Sequence, residues 1–324
     1  MKQIVYNSII AFFASLVTLL NLSFAAASTP LVSSEWLSKN LEASDLLIID
    51  LRNSIDGGGY ETYLEGHIPG SIHSDYMKAG WRVARNGIPG LIPSEKEFQK
   101  LARSIGVNQN SHVILVPAGV SSTDFGSSAR AYWTFKSFGH EKVSILNGGW
   151  TNWKKTYPSQ IETGAPIAPL TGNFVASLAT NDYIDTNGVE QIVKDKSSQV
   201  ILLDGRPEKQ FWGEEKHPKV LAAGHIPGAK LLTQSEAYDE INNSLKQIEA
   251  LDEIYGDISE KPVVSYCNTG HWAAMNWFVL SELLGNKNVL LYDGSMVEWT
   301  QDSTRPLVKE KSNFMKIKEF FRLG

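Results

Sequence analysis

The chain has 324 residues, 42% hydrophobic and 20% charged, which excludes a mainly disordered chain and leaves room for two ordinary domains. A net charge of −5, with no run of lysines and arginines, leaves no footprint for nucleic acid. One cysteine excludes an internal disulfide framework and any multi-cysteine zinc site.

Residues 1–27 are expected to be an export signal. Lys2 precedes the apolar stretch Ile9–Leu20, and Ala25-Ala26-Ala27-Ser28 offers small residues for cleavage after Ala27. The alternative is an uncleaved anchor, but Asn21 and Ser23 interrupt the span it needs. No later segment approaches the roughly 20 apolar residues of a membrane span. The expectation is therefore an exported, periplasmic protein, free of the membrane after cleavage.

Beyond the signal, the chain is written twice. The first copy is placed at 30–157. The apolar run Leu46–Ile49 leads into Asp50 and Arg52, followed by Gly66-His67-Ile68-Pro69-Gly70. A second run, Val113–Val116, precedes a helical stretch Ala129–Phe138 ended by Gly139, and the block Ser144–Trp153 (SILNGGWTNW) closes the copy. A linker is placed at 158–174, within a stretch rich in Pro, Gly and Thr. The second copy, 175–304, repeats each landmark in the same order. Val200–Leu203 leads into Asp204 and Arg206, and Gly224-His225-Ile226-Pro227-Gly228 matches the first motif letter for letter. Val263–Tyr266 then precedes the helical stretch His271–Leu284, with Met275, Phe278, Val279 and Leu283 on one face and Gly285 at its end. Leu290–Trp299 (LLYDGSMVEW) is the closing block, and 305–324 is a C-terminal tail. A period of about 150 residues is too long for a solenoid. Short strands alternating with helices predict two similar α/β domains, each a mainly parallel sheet flanked by helices. Ligands of such sheets bind beyond the carboxyl ends of the strands, which points at the residues after Val116 and Tyr266.

After Tyr266 comes the loop Cys267-Asn268-Thr269-Gly270-His271-Trp272. The unbonded amides and positive end of the following helix favour an anion there, so a thiolate is stabilised. If the loop curls around the sulfur, its amides form an anion nest suited to a thiolate or a persulfide. The alternative is an inert, buried structural cysteine.

The paired GHIPG motifs, the Asp-x-Arg strand ends, the SILNGGWTNW block and the six-residue cysteine loop resemble the tandem rhodanese family of sulfurtransferases, from about Val32 to Trp299. The resemblance implies that the C-terminal copy is catalytic, with Cys267 as nucleophile, and that the N-terminal copy is a silent partner helping to form the cleft. Pro117 stands where the second copy has Cys267, and it can neither attack nor donate a backbone N–H. The first-copy loop is expected to be longer and polar, Ala118–Gly126. The implied chemistry is a sulfur relay: Cys267 takes a sulfane sulfur from a small anionic donor and gives it to cyanide, a thiol or a protein acceptor. Neither a metal nor an organic cofactor is needed. Arg206 stands where the family places a substrate-binding arginine, and Asn268, Thr269, Gly270, His271 and Trp272 would complete the site. Arg206 has an alternative in a structural ion pair with Asp204 or Glu208, because Arg52 keeps the motif in the silent copy. His271 either touches the donor or points away. His67 and His225 share one motif, so a structural role fits them better than catalysis. Trp212 and Trp272 either wall the cleft or simply pack.

Thiosulfate-type members of the family carry a basic pair directly after the cysteine, and mercaptopyruvate-type members a small Gly/Ser-containing loop. Asn268 and Thr269 match neither, and thiosulfate is taken as the first donor with 3-mercaptopyruvate second. A cysteine-dependent phosphatase needs Cys-x5-Arg to clamp an oxyanion, and here Ala273 occupies the arginine position. A non-enzymatic persulfide carrier, or a partner-binding module in an exported sulfur pathway, would use the same Cys267 loop.

Overall fold

Strands that are apolar on both faces are built for the middle of a covered parallel sheet, and the runs singled out above occupy that position. The computed structural model describes residues 28–179, 182–195 and 197–309. Leu46–Asp50 and His112–Val116 lie side by side within a five-stranded parallel sheet. Its order is Leu31–Val32, Val143–Leu146, His112–Val116, Leu46–Asp50, Ile72–His73. The second copy repeats the design with four parallel strands, ordered Val289–Leu291, Val263–Tyr266, Ile201–Asp204, Lys230–Leu231. Its counterpart of the fifth strand is a single bridge between Tyr183 and Leu291.

The GHIPG motifs close both domains in the same way. His67 bridges Glu162, and His225 bridges Val308. Val308 thus belongs to the second domain, although the sequence places it in a tail, and Arg305 beside it pairs with Glu190 at 2.7 Å. The expected boundary at 174 shifts too. The amides of Gly172, Phe174, Ser177 and Ala179 donate to carbonyls of the first domain, and Phe174 is buried there. This stretch is a strap on the first domain. The expected signal at 1–27 and the end of the expected tail, 310–324, lie outside the described residues. Among those described, no helix is long and apolar enough to cross a membrane.

Two helices depart from expectation. The first-copy helix spans Ser122–Ser137, seven residues longer at its start than the apolar pattern suggests. The Ser121 side chain accepts from the Asp124 amide, so a polar stretch expected to be loop is a capped first turn. In the second copy, Ala273–Phe278 is α-helical and Val279–Leu283 widens to a π-helix, with the Leu284 amide bonded to the Val279 carbonyl. Apolar spacing over so short a stretch cannot separate the two pitches.

Ser122–Ser137 is buried on nearly every face because it packs between both domains. Phe125 and Tyr132 meet Phe278 edge-on, with ring centroids 6.0 and 4.9 Å apart. One apolar core runs continuously from Val113 of the first sheet to Val263 of the second. A core shared in this way fixes the first domain against the loop that carries the cysteine.

Candidate active site

The strand Val263–Tyr266 delivers Cys267 to the floor of a cavity of about 400 Å³ between the domains. The sulfur-bearing residue is only 1% exposed. Asn268, Thr269, His271 and Trp272 line the same cavity, as do His217 and Lys219 from the second copy and Tyr76, Arg82, Val83 and Thr123 from the first. Among the described residues, no Asp or Glu lines it. In an acidic chain, that is a site cleared for an anion.

The loop is tied from below by Ser295, a non-glycine residue at φ +49°. The amides of Cys267 and Gly270 donate to its hydroxyl at 3.0 and 3.1 Å, and the hydroxyl donates to the Tyr292 carbonyl at 2.8 Å. Among the described residues, the amides of Asn268, Thr269, His271 and Trp272 have no acceptor. The first copy indicates what such amides do. There the amides of Ala118, Gly119 and Val120, which follow Pro117, donate to the Asp124 carboxylate at 2.9, 2.6 and 3.1 Å. Burial pushes that carboxyl up to about 7, while the three amides pull it down. The first copy thus fills its nest with a carboxyl group of its own, and the second copy leaves the matching amides of Asn268 and Thr269 open.

His271 points into the domain junction and is held on both ring nitrogens. Nε2 lies 2.8 Å from the Thr123 carbonyl, which can only accept, so the proton resides on Nε2. Nδ1 therefore accepts from the Tyr76 hydroxyl at 2.9 Å. Burial, reinforced by Arg82, pushes its pKa down to about 3. His271 is a neutral clasp between loop and first domain, with no nitrogen free for a proton transfer. Trp272 walls the cavity and donates to the Thr123 hydroxyl at 3.2 Å.

Arg206 does not line the cavity. Its Nε and one terminal nitrogen grip Asp204 at 2.9 and 2.6 Å, and that nitrogen also donates to the Gly224 carbonyl at 2.8 Å. Arg52 makes the same bonds to Asp50 and Gly66 in the first copy, at 3.0, 2.8 and 2.8 Å. Duplication in a copy without a nucleophile marks the pairing as structural. It ties the strand end to the GHIPG turn. Arg206→Met is therefore expected to lower stability by about 3–5 kcal/mol, because it strands the buried Asp204 carboxylate. Urea denaturation measures it; an unchanged midpoint with impaired donor use would return Arg206 to the site. His67 and His225 are structural as well: each stacks on an aromatic ring, Tyr63 or Phe211, and bonds that residue's carbonyl at 2.8 Å. Trp212 packs on Phe211 and His225, away from the cavity lining.

The cavity's arginine is Arg82, which the sequence pattern does not single out. Arg130 and Asp293 are equally unmarked in the sequence. Arg130, fully buried in the first-copy helix, donates to the Gly270 carbonyl at 3.1 Å, the Gly90 carbonyl at 3.2 Å and the Asp293 carboxylate at 3.2 Å. Asp293 accepts in turn from the Ile92 amide at 2.5 Å. Both bridges cross the domain junction, so no local motif announces them.

Residues 33–156 and 187–302 each match the family described as the rhodanese-like domain. The 3-mercaptopyruvate sulfurtransferase of Escherichia coli K12 is 32% identical over 289 residues, covering 87% of this chain and 98% of that protein. The sulfur carrier protein TtuD of Thermus thermophilus is 31% identical over 295 residues, covering 86% and 96%. Among solved structures, the Escherichia coli 3-mercaptopyruvate sulfurtransferase SseA superposes with a TM-score of 0.66 at 28% identity, over 83% of this chain and 99% of that one. The Tum1 protein of Saccharomyces cerevisiae shares the fold, with a TM-score of 0.72 at 22% identity. With two matched domains, parallel sheets in the same order and full-length relatives of this kind, the chain belongs to the rhodanese-like family as a tandem-domain sulfurtransferase.

Proposed function

We propose that Cys267 carries sulfur as a persulfide between a small anionic donor and a thiophilic acceptor. The observation behind this is the position of the chain's one cysteine on the floor of a carboxylate-free cavity, beside open amides whose first-copy counterparts hold a carboxylate. With thiosulfate, the thiolate attacks the outer sulfur, the S–S bond breaks and sulfite leaves with its electron pair. With 3-mercaptopyruvate the C–S bond breaks instead, and the pyruvate enolate takes up a proton. A thiol or cyanide then attacks the outer persulfide sulfur and restores the Cys267 thiolate. Asn268 and Thr269 would frame the anion through the main chain, Gly270 would anchor the loop to Ser295 and Arg130, Trp272 would wall the cavity, and His271 would hold the loop without touching the chemistry.

The loop itself carries no basic pair, and the cations of the cavity are Arg82 and Lys219, which can meet a singly charged carboxylate as well as a dianion. That moves 3-mercaptopyruvate level with thiosulfate as a donor. The likeness to a sulfur carrier of Thermus thermophilus supports a protein thiol among the acceptors. We place the relay outside the cytoplasm, with residues 1–27 as the export signal.

Intact-mass spectrometry tests the relay. Incubation with either donor should add one sulfur mass, and cyanide should remove it. A protein that gains no mass with either donor would overturn the proposal. Stable loading with only slow discharge to small acceptors would favour the carrier role.

A further inference from the structure

The turn that follows the first copy's central strand is clamped from two sides. On one side stands the SILNGGWTNW block. The Trp150 amide donates to the Pro117 carbonyl and the Thr151 amide to the Ala118 carbonyl, both at 2.9 Å. Gly119 lies at φ +76°, where a Cβ would collide with the Gly148 carbonyl, so turn and block are packed too closely to slide. On the other side, the buried Asp124 carboxylate takes the amides of Ala118, Gly119 and Val120. Helix formation alone does not call for a carboxylate here, because Ser121 already caps the helix. Burying one is costly, and what offsets the cost is a set of charge-assisted bonds to a fixed turn.

Those bonds fix the first turn of the helix Ser122–Ser137, and the cysteine loop hangs on that turn. Thr123 directly precedes Asp124. Its carbonyl accepts from His271 Nε2 at 2.8 Å and its hydroxyl from the Trp272 indole at 3.2 Å. Gly126 faces the same imidazole so closely that a Cβ there would lie 3.0 Å from Nε2. Phe125, between them, packs on Tyr238 and Phe278 of the second copy. The block at 144–153, the turn after Pro117, Asp124 and Thr123 thus form one continuous chain of contacts ending on His271, four residues from the nucleophile.

Resting on the persulfide relay proposed above, we propose that Asp124 is a positioning residue for Cys267. By filling the nest of its own copy, it anchors the helix turn from which Thr123 holds His271 and Trp272. The copy without a nucleophile acts on the reaction through its own strand end, and the SILNGGWTNW block is the abutment against which it pushes. Asp124 touches no substrate, so its effect falls on the loading step and not on donor affinity.

The full-length protein is compared with Asp124→Asn, His271→Phe and the double variant, loading sulfur from thiosulfate and from 3-mercaptopyruvate. Asp124→Asn keeps the side-chain shape but aims an amide group at N–H donors. It should lower kcat for loading about tenfold with either donor, with KM little changed. Alkylation of Cys267, the chain's one thiol, by iodoacetamide should become several-fold faster at a pH where the thiol is ionised, because the loop is loosened. In the double variant most of the second loss should vanish, since the carboxylate has no clasp left to act through. Gly126→Ala disturbs the same imidazole with the carboxylate intact, and should likewise lower kcat and speed alkylation whether or not Asp124→Asn folds. Losses that multiply in the double variant overturn the proposal. So does a lowered urea midpoint with kcat and alkylation unchanged, or indifference of both readouts to Gly126→Ala. A wild-type protein that gains no sulfur mass from either donor overturns the relay, and the alkylation rates then decide the positioning by themselves.

Discussion

Cys267→Ser should fold as the wild type does and transfer no sulfur. The side chain is buried and makes no hydrogen bond in the structure, so exchanging sulfur for oxygen removes little that holds the loop. The loop rests instead on Ser295, through the Cys267 and Gly270 amides, and these bonds do not involve the thiol. A serine hydroxyl cannot form the persulfide, so sulfite release from thiosulfate and pyruvate release from 3-mercaptopyruvate should both fall to background. The loss should be at least about a thousandfold, the scale seen when a covalent nucleophile is removed. Thiol titration gives an independent check, because Cys267 is the only cysteine in the chain. A variant that still gains a sulfur mass would show that the sulfur is held elsewhere.

The duplication was legible in the sequence because its landmarks are local. Leu46–Ile49, Val113–Val116, Val200–Leu203 and Val263–Tyr266 are continuous apolar runs, and each falls on a central strand. Cys267 could be found for the same reason: strand, loop and helix follow one another directly. The start of the helix at Ser122 was also written locally, in Ser121 followed by Asp124, but apolar spacing alone overlooks a cap. Arg206 shows a different failure. A strand-end arginine two residues after an aspartate reaches back to that aspartate in both copies, and only the side-chain geometry separates this pairing from a cation offered to substrate. Arg82, Tyr76, Thr123, Arg130 and Asp293 act on the loop from elements far away in the chain. Their roles arise from domain packing, which periodicity and motif spacing do not encode.

Arg130→Met should be the most damaging substitution away from the cysteine. The guanidinium is completely buried, and the Asp293 carboxylate partly offsets the burial that works against its charge. Removing it leaves Asp293 with the Ile92 amide and without its cation, a loss of about 3–5 kcal/mol for a broken buried pair. The same change frees the Gly270 carbonyl, at a residue held at φ +69° where a Cβ would lie 2.3 Å from the Arg130 terminal nitrogen. Gly270 is three residues from Cys267, so a displacement of even about 1 Å should cost roughly a hundredfold in kcat/KM. Stability and rate can be separated by also removing the stranded charge, in Arg130→Met with Asp293→Asn. That double variant should recover much of the urea midpoint, because no unpaired carboxylate remains buried. It should not recover the rate, because neither side chain can hold the Gly270 and Gly90 carbonyls as the guanidinium does. If rate and midpoint return together, the pair stabilises the domain junction and has no part in placing the loop.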